Sequence, residues 1–320
     1  MKSASIPDGA WPTMITPFGP DGAIDYAVLE SLVEWYVDRG VAGLFAVCQS
    51  SEMFFLSLRE RLELARACVR FARGRVPVIA SGHVADEPSD QVEEARAMAD
   101  TGVDAVVLIS NLFAGSHEED EVWKRNLGHF LDRLPEGILL GLYECPWPYK
   151  RVLSPEATRF CVESGRFGFL KDTSCRMESI RAKIDIARGS GLKLFNANGA
   201  TLLESLRAGA AGYSGIMTNF HADLYSWICA NHAREPRLAE ELQDFLGLSS
   251  VIEYQLYPVN AMYALSLEGL PFPLASRRAD VRLFTESMRL EVEQLMRQSR
   301  SWSARIAGLA AEASARGKAT

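Results

Sequence analysis

One lysine in the chain is placed where its amine could act as a nucleophile. Lys171 ends the apolar run Phe167–Lys171, which predicts a buried strand. Lysine is rarely buried, and desolvation lowers its pKa, so that more of the amine is uncharged at neutral pH. An uncharged amine is what a Schiff-base (imine) nucleophile requires. Position alone somewhat favours the alternative, a structural ion pair of Lys171 with Asp172 or Glu144.

A tyrosine ends the preceding predicted strand. Tyr143 closes the apolar run Leu139–Tyr143, and 171 − 143 = 28 residues separate it from Lys171. If the two strands are neighbours, the phenol lies within hydrogen-bonding reach of the amine. There it can move the protons of carbinolamine formation and of a carbon–carbon step. The alternative is a tyrosine that only packs in the core.

The elements that position these residues alternate between apolar runs and amphipathic helices. Strands are predicted at Pro12–Ile15, Gly43–Val47, Val78–Ala80, Ala105–Ile109, Leu139–Tyr143, Phe167–Lys171, Leu192–Asn196 and Gly212–Gly215. Helices are predicted at Tyr26–Arg39, Leu58–Arg73, Asp90–Asp100, Glu119–Arg133, Pro155–Glu163, Met177–Arg188, Thr201–Ala208 and Asp223–Ala233. Eight such units favour a (β/α)8 TIM barrel of the α/β class. The sequence contains neither a GxGxxG motif after the first strand nor a P-loop, which weakens a dinucleotide-binding alternative.

The rest of the chain carries only helical patterns. We expect residues 1–235 to form the barrel and residues 236–320 to form a C-terminal helical extension packed on it. The predicted helices of the extension are Leu238–Leu246, Val251–Leu267, Asp280–Gln298 and Ser301–Ala313. Whether their apolar faces also build an oligomer interface stays open.

Composition excludes several classes of partner. A net charge of −7 and a pI near 5.4 argue against nucleic acid and anionic membranes, which select basic surfaces. No apolar run reaches the ~18 residues that cross a bilayer, and the N-terminal residues lack a secretory apolar region. Six cysteines without a CxxC pair indicate reduced thiols. We expect a soluble cytoplasmic protein that binds small molecules.

In a barrel of this kind, ligands are held at the carboxyl ends of the strands. The polar residues that follow the predicted strands there include Gln49, Ser50, Ser51, Asn198 and Ser214. Three cysteines also fall near this end, but no histidine or carboxylate spacing supports a metal site. We therefore expect neither a metal nor an organic cofactor.

Five motifs together resemble the dihydrodipicolinate synthase/N-acetylneuraminate lyase family of Schiff-base-forming pyruvate aldolases. They are MITPF at Met14–Phe18, the Ser-Ser-Glu at Ser50–Glu52, LYECP at Leu142–Pro146, LSPE at Leu153–Glu156 and FLKDT at Phe169–Thr173. The resemblance covers roughly residues 9–220 and weakens in the C-terminal helices. The 28-residue interval between Tyr143 and Lys171 also matches the family.

The resemblance implies a role for several of these residues. Lys171 resembles the family's imine-forming lysine, and Tyr143 its catalytic tyrosine. Ser50 and Ser51 fall in the loop that holds the carboxylate of the keto acid. Ser214 falls where the family uses a backbone group beside the pyruvyl moiety. The resemblance also implies a homotetramer, although a dimer stays open.

The sequence departs from the family pattern at positions that matter for specificity. Gln49 replaces the first threonine of the carboxylate loop, and Phe113 falls where a neighbouring subunit's tyrosine completes a proton relay. Pro148 replaces the arginine that binds the aldehyde's carboxylate, which removes much of the selectivity for it. We therefore do not expect true dihydrodipicolinate synthase activity. Sialic-acid lyase also fits poorly, because Gly199 and Ala200 replace acidic residues of that branch.

The segment ECPWPYKR after the fifth predicted strand is distinctive. Lys150 and Arg151 lie close to the predicted mouth, where they either recognise a second anionic group or decorate a surface loop. Trp147 and Tyr149 either narrow the pocket or shield a subunit contact.

The function expected from the sequence is a lyase or aldolase acting on a 2-keto acid and an aldehyde. Two alternatives stay open. One is a 2-keto-3-deoxy sugar acid dehydratase that uses the same imine but yields no free pyruvate. The other is a non-catalytic ligand-binding barrel, against which the retention of both Lys171 and Tyr143 argues.

Overall fold

A computed structural model describes residues 6–317, and the side chains as far as residue 309. Eight parallel strands form one sheet in the order β1-β8-β7-β6-β5-β4-β3-β2. They are β1 (Gly9–Ala10), β2 (Leu44–Val47), β3 (Val78–Ala80), β4 (Ala105–Ile109), β5 (Leu140–Tyr143), β6 (Phe167–Asp172), β7 (Lys193–Asn196) and β8 (Gly212–Tyr213). A bridge between Thr13 and Phe45 closes the sheet beside β2. The predicted TIM barrel is confirmed.

A helix follows each strand of the barrel, and three more complete the chain. The first eight are α1 (Tyr26–Asp38), α2 (Leu58–Ala72), α3 (Pro88–Ala99), α4 (Asp120–Leu131), α5 (Pro155–Glu163), α6 (Met177–Ala187), α7 (Leu202–Ala208) and α8 (Thr218–Asn231). The others are α9 (Pro236–Ser249), α10 (Val259–Leu267) and α11 (Glu286–Gly317). None of the helices in the part of the chain described is both long and apolar enough to cross a membrane.

The first strand was predicted at Pro12–Ile15, and this placement is wrong. The chain pairs with β8 only over Gly9–Ala10 and then turns toward β2. Phe45 N donates to the Pro12 carbonyl, and Met14 N donates to the Phe45 carbonyl, each at 3.0 Å. Pro12 has no N–H to donate, which prevents a continuous ladder through this position.

The helix predicted at Val251–Leu267 is interrupted. A short 3-10 turn spans Ser250–Tyr254, and α10 begins only at Val259. Pro258 explains the break, because proline lacks an N–H and disfavours a helical conformation at the preceding residue. The irregular segment 250–258 reaches the cavity at the barrel mouth.

The last two predicted helices, Asp280–Gln298 and Ser301–Ala313, are instead one continuous helix. It begins at Glu286, after a 3-10 turn at Val281–Leu283 that Asp280 caps. Neither glycine nor proline lies between the two predicted segments, so nothing local ends the helix there.

Aromatic rings fill the barrel interior below the strand ends. Phe169 stacks on Phe195 with their centroids 4.5 Å apart, and Trp11 meets both rings edge-on. Phe45 contacts Phe169 and also packs edge-on against Tyr143, with centroids 5.9 Å apart. This layer forms an apolar floor beneath the site.

Candidate active site

Lys171 and Tyr143 lie side by side at the carboxyl ends of β6 and β5. The two residues are direct partners in the parallel pairing of these strands. Lys171 Nζ lies 4.4 Å from the centre of the Tyr143 ring and 5.9 Å from that of Phe45. The lysine is only 4% exposed. Strand pairing therefore brings together the two residues that the sequence analysis put first.

The carboxylates next to these residues face the opposite way. Successive side chains of a strand point to opposite faces, so Glu144 and Asp172 point away from the barrel axis. Both bind Lys183 of α6, whose Nζ lies 2.6 Å from Asp172 Oδ2. The ion pair considered for Lys171 is therefore wrong, because Lys183 takes both carboxylates. Burial lowers the pKa of Lys171 to about 8, and the nearby Cys48, Cys145 and Glu253 act in the opposite direction.

The Tyr143 hydroxyl donates a hydrogen bond to Gln49. Its oxygen lies 3.3 Å from Gln49 Oε1. Burial raises the pKa of Tyr143 well above its ordinary value, so the phenol keeps its proton. An amide oxygen accepts a hydrogen bond but carries no proton that it could pass on. Any proton chain from the phenol in this direction therefore ends at Gln49.

In the loop after β2, the side chains of Ser50 and Ser51 have different surroundings. Ser50 lines the cavity, and its hydroxyl donates to Thr13 Oγ1 at 3.2 Å. The Ser51 hydroxyl is fully buried, accepts from Cys48 N and donates to the Cys48 carbonyl, each at 2.7 Å. Contrary to expectation, Ser51 shapes its own loop, and its hydroxyl does not line the cavity. Glu52 anchors a distant segment, accepting from Arg278 N at 2.7 Å.

Of the two ligand-binding residues predicted after β7 and β8, Asn198 reaches the cavity and Ser214 does not. Asn198 lines the cavity, but its Oδ1 accepts from the N–H and hydroxyl of Thr201, both at 3.1 Å. Only its amide nitrogen is left for a ligand. Ser214 is wholly buried, and its N–H donates to the Asn196 carbonyl at 2.8 Å. Its neighbour Gly215 forms the cavity wall.

A cavity of about 300 Å³ opens above Lys171 and Tyr143. Sequence reasoning missed part of its wall, because Glu253, Tyr257 and Arg278 come from the C-terminal segments. Glu253 stands on the 3-10 turn before Pro258. Burial raises the pKa of Glu253 to about 7, opposed in part by the charge of Lys171. The polar run Glu253–Gln255 before a helix-breaking proline was the available sequence signal.

The distinctive segment after β5 is mostly structural. Arg151 binds Asp120 at 2.9 Å, and the Tyr149 hydroxyl donates to the Asn111 carbonyl at 2.6 Å. Pro146 and Lys150 line the cavity, and the Trp147 side chain is 56% exposed. Lys150 is thus the cation of this segment that a ligand can meet.

The profile of a family described as the Dihydrodipicolinate synthetase family matches residues 7–299, nearly the whole chain. The chain belongs to this family. Family members are class I lyases and aldolases, and the chain is a Schiff-base pyruvate lyase or aldolase of the same family.

Individual relatives agree with the family assignment. A 4-hydroxy-tetrahydrodipicolinate synthase from Cellvibrio japonicus is 25% identical over 290 residues, covering 91% of this chain and 94% of the relative. A dihydrodipicolinate synthase from Acinetobacter baumannii, solved with pyruvate, superposes with a TM-score of 0.80 at 23% identity, covering 91% of this chain and 98% of that one. CdNal from Clostridium difficile, solved with mannosamine, gives a TM-score of 0.80 at 16% identity, covering 91% and 99%. These two likenesses concern the fold.

Phe113 does not lie where the family resemblance placed it, at the contact with a neighbouring subunit. Phe113 is 3% exposed and packs inside its own chain against His83, Trp123 and Phe130. It is therefore not presented to a neighbouring subunit. Its ring occupies a core position and adds no hydroxyl to the cavity.

Proposed function

We propose that Lys171 forms the Schiff base with pyruvate or another 2-keto acid, and that the enzyme cleaves or forms the carbon–carbon bond next to it. The observation that carries the proposal is a buried amine that has no carboxylate partner among the described residues and whose pKa is lowered to about 8. Such an amine is a nucleophile near neutral pH. A structural lysine at this position would instead use Asp172 or Glu144.

The proposed reaction begins with attack of Lys171 Nζ on the ketone carbon. Tyr143 serves the proton transfers that turn the carbinolamine into the iminium, since its ring lies beside Nζ. The protonated imine then accepts the electron pair released at C3, giving an enamine. Ser50 and the N–H groups of its loop serve the keto acid's carboxylate, because consecutive N–H groups in a tight turn attract anions.

We further propose that the acceptor aldehyde is not that of a true dihydrodipicolinate synthase. Pro148 stands where that enzyme's arginine is expected, and Gln49 gives Tyr143 an acceptor that cannot relay a proton. The cations that line the cavity are instead Lys150 and Arg278. Specificity for the acceptor therefore rests on different residues.

Borohydride trapping tests the imine. The protein is incubated with pyruvate and sodium borohydride, and intact mass and peptide mapping follow. We expect one reduced pyruvyl group on the peptide that contains Lys171, and none in Lys171→Ala. Folded wild-type protein that stays unmodified, with pyruvate and with longer 2-keto acids, would refute the proposal. A positive result justifies screening aldehydes, with free pyruvate as the product that separates aldol cleavage from dehydration.

We also propose a homo-oligomer, a dimer or a tetramer, in a reducing cytoplasmic compartment. Phe55 and Trp147 are large apolar side chains, 48% and 56% exposed, and both line one small cavity beside the catalytic one. Exposed apolar groups of this size favour burial by another chain. Light scattering after gel filtration measures the mass, and a single-chain mass would contradict the assembly.

A further inference from the structure

The C-terminal part of the chain places a carboxylate over the barrel mouth. Glu253 stands on the 3-10 turn Ser250–Tyr254, which is tied to α10 by a hydrogen bond of 2.8 Å from Asn260 Nδ2 to the Ile252 carbonyl. The side chain is half-buried and lines the same cavity as Lys171 and Tyr143. Glu253 is thus a fixed part of the site.

The Glu253 carboxylate is not engaged with another protein group. Among the described residues, neither a hydrogen bond nor an ion pair holds it, and the charge that acts on it is that of Lys171. The other acids of the barrel end are already bound: Glu144 and Asp172 by Lys183, and Glu52 by Arg278 N. An unpaired carboxylate that faces the same cavity as Lys171 is available to a ligand bound there.

The reaction needs a base that the rest of the cavity does not supply. From bound pyruvate, the enamine forms when a proton leaves C3. In aldol cleavage it forms when the C3–C4 bond breaks, and it then takes up a proton at C3, so both directions of the reaction move a proton at this carbon. Burial raises the pKa values of Tyr143 and Tyr257 well above the ordinary value, so neither phenol ionises near neutral pH. Burial also raises the pKa of the Cys175 thiol. The remaining charged groups that line the cavity are the cations Lys150 and Arg278.

We propose that Glu253 is the catalytic base that removes the C3 proton of the Lys171 iminium and returns it to the enamine. In the forward step the C3–H bond breaks and the proton moves to the Glu253 carboxylate. The C–H electron pair becomes the C2=C3 double bond, and the iminium π pair becomes the lone pair of nitrogen. The reverse step restores the iminium, so no oxidant or reductant is needed. This inference rests on the proposed imine at Lys171.

The electrostatics of the cavity suit this step. Burial raises the pKa of Glu253 to about 7, and a base is most effective when its pKa lies near the working pH. The iminium carries a fixed positive charge, which favours the ionised carboxylate when a proton must be taken. Tyr143 is then left with the proton transfers at nitrogen and at the carbinolamine oxygen.

Pyruvate itself serves as the probe, so the acceptor aldehyde need not be known. Loss of the pyruvate methyl signal in D2O, followed by proton NMR, measures the C3 step. Borohydride trapping measures the imine separately. In Glu253→Gln we expect trapping within about twofold of wild type but methyl exchange slower by about 100-fold, a typical contribution of general base catalysis. Glu286→Gln, which changes an exposed carboxylate of the same C-terminal region, serves as the control and exchanges like wild type.

A second variant guards against a misfolded Glu253→Gln protein. Glu253→Ala leaves a space, and added formate is expected to restore methyl exchange in this variant but not to accelerate wild type. If Glu253→Gln still traps the imine and exchanges the methyl protons as fast as wild type, the proposed role of Glu253 is overturned. The imine at Lys171 is not affected by that result. Wild-type protein that traps pyruvate but never exchanges its methyl protons overturns it as well. Wild-type protein that traps no pyruvate overturns the proposed function instead.

Discussion

Tyr143 and Lys171 are direct partners across β5 and β6, and the lysine Nζ lies 4.4 Å from the centre of the tyrosine ring. This pairing puts a proton-transfer group and an amine on the same inward face of the barrel. It also sends the next residues in each strand, Glu144 and Asp172, to the outer face. The lowered pKa of Lys171 follows, since burial removes water and neither Glu144 nor Asp172 pairs with the amine.

The first prediction concerns the pH dependence of imine formation. Burial lowers the pKa of Lys171 to about 8, so the fraction of free amine rises with pH up to that value. We expect the rate of pyruvate trapping by cyanoborohydride to rise nearly tenfold per pH unit below pH 7 and to level off above about pH 8. A surface amine would show no plateau below its ordinary pKa of about 10.4. A trapping rate still rising at pH 10 would contradict the lowered pKa.

The second prediction concerns stability. Between about pH 8 and 10.5 the unfolded chain keeps the Lys171 proton and the folded chain does not, so stability rises with pH. Below pH 8 the full penalty of the buried cation is present. We expect Lys171→Met to be more stable than wild type at pH 7 by on the order of 3 kcal/mol. Urea unfolding of both proteins measures the difference, which should largely vanish by pH 10.5. A pH-independent difference would exclude this cause.

The third prediction concerns the ion triad of Lys183, Glu144 and Asp172. All three side chains are almost completely buried. Lys183→Met leaves two buried carboxylates without a counter-charge, and breaking a buried pair in this way costs about 3–5 kcal/mol. Denaturant unfolding provides the measurement.

A matched control lies on the same helix. Arg181 pairs with Glu204 at 2.5 Å, but both side chains are more than half exposed. Arg181→Ala is expected to change the free energy of unfolding by about 1 kcal/mol or less. If Lys183→Met and Arg181→Ala lower the free energy of unfolding equally, the buried triad contributes no more to stability than an exposed ion pair.

The fourth prediction concerns the hydrogen bond between Tyr143 and Gln49. Tyr143→Phe removes the proton-transfer group, and we expect pyruvate trapping to slow by about 100-fold. Gln49→Leu removes only the acceptor that orients the hydroxyl, so a loss of about tenfold is expected. If the two residues act as a unit, the double variant is no slower than Tyr143→Phe alone. Independent, multiplying losses would instead mean that Gln49 acts on the ligand directly.

Local sequence patterns determined most of the barrel. The boundaries of β3 and β4 were predicted as they are found, and β5, β6 and β7 differ by one residue at one end. Strands buried on both faces carry uninterrupted apolar runs, which are readable without knowing their neighbours. The prediction of the first strand failed because the apolar run Pro12–Ile15 follows the two residues that pair with β8, at the point where the chain turns toward β2. In the C-terminal extension, the predicted helix Val251–Leu267 was wrong because it ran through Pro258, a helix-breaking signal that was present in the sequence.

The sequence by itself also determined that Lys171 and Tyr143 lie at the same end of the barrel, because each ends an apolar run within a repeating βα pattern. Only the tertiary structure decided that neither Glu144 nor Asp172 pairs with Lys171, since that depends on Lys183 reaching from α6 to the outer face of the strands. Only the tertiary structure placed Glu253, 253 − 171 = 82 residues further on, in the wall of the same cavity. The physical reason is that periodicity reports which face of an element is buried. Which distant segment covers that face is set by packing between elements.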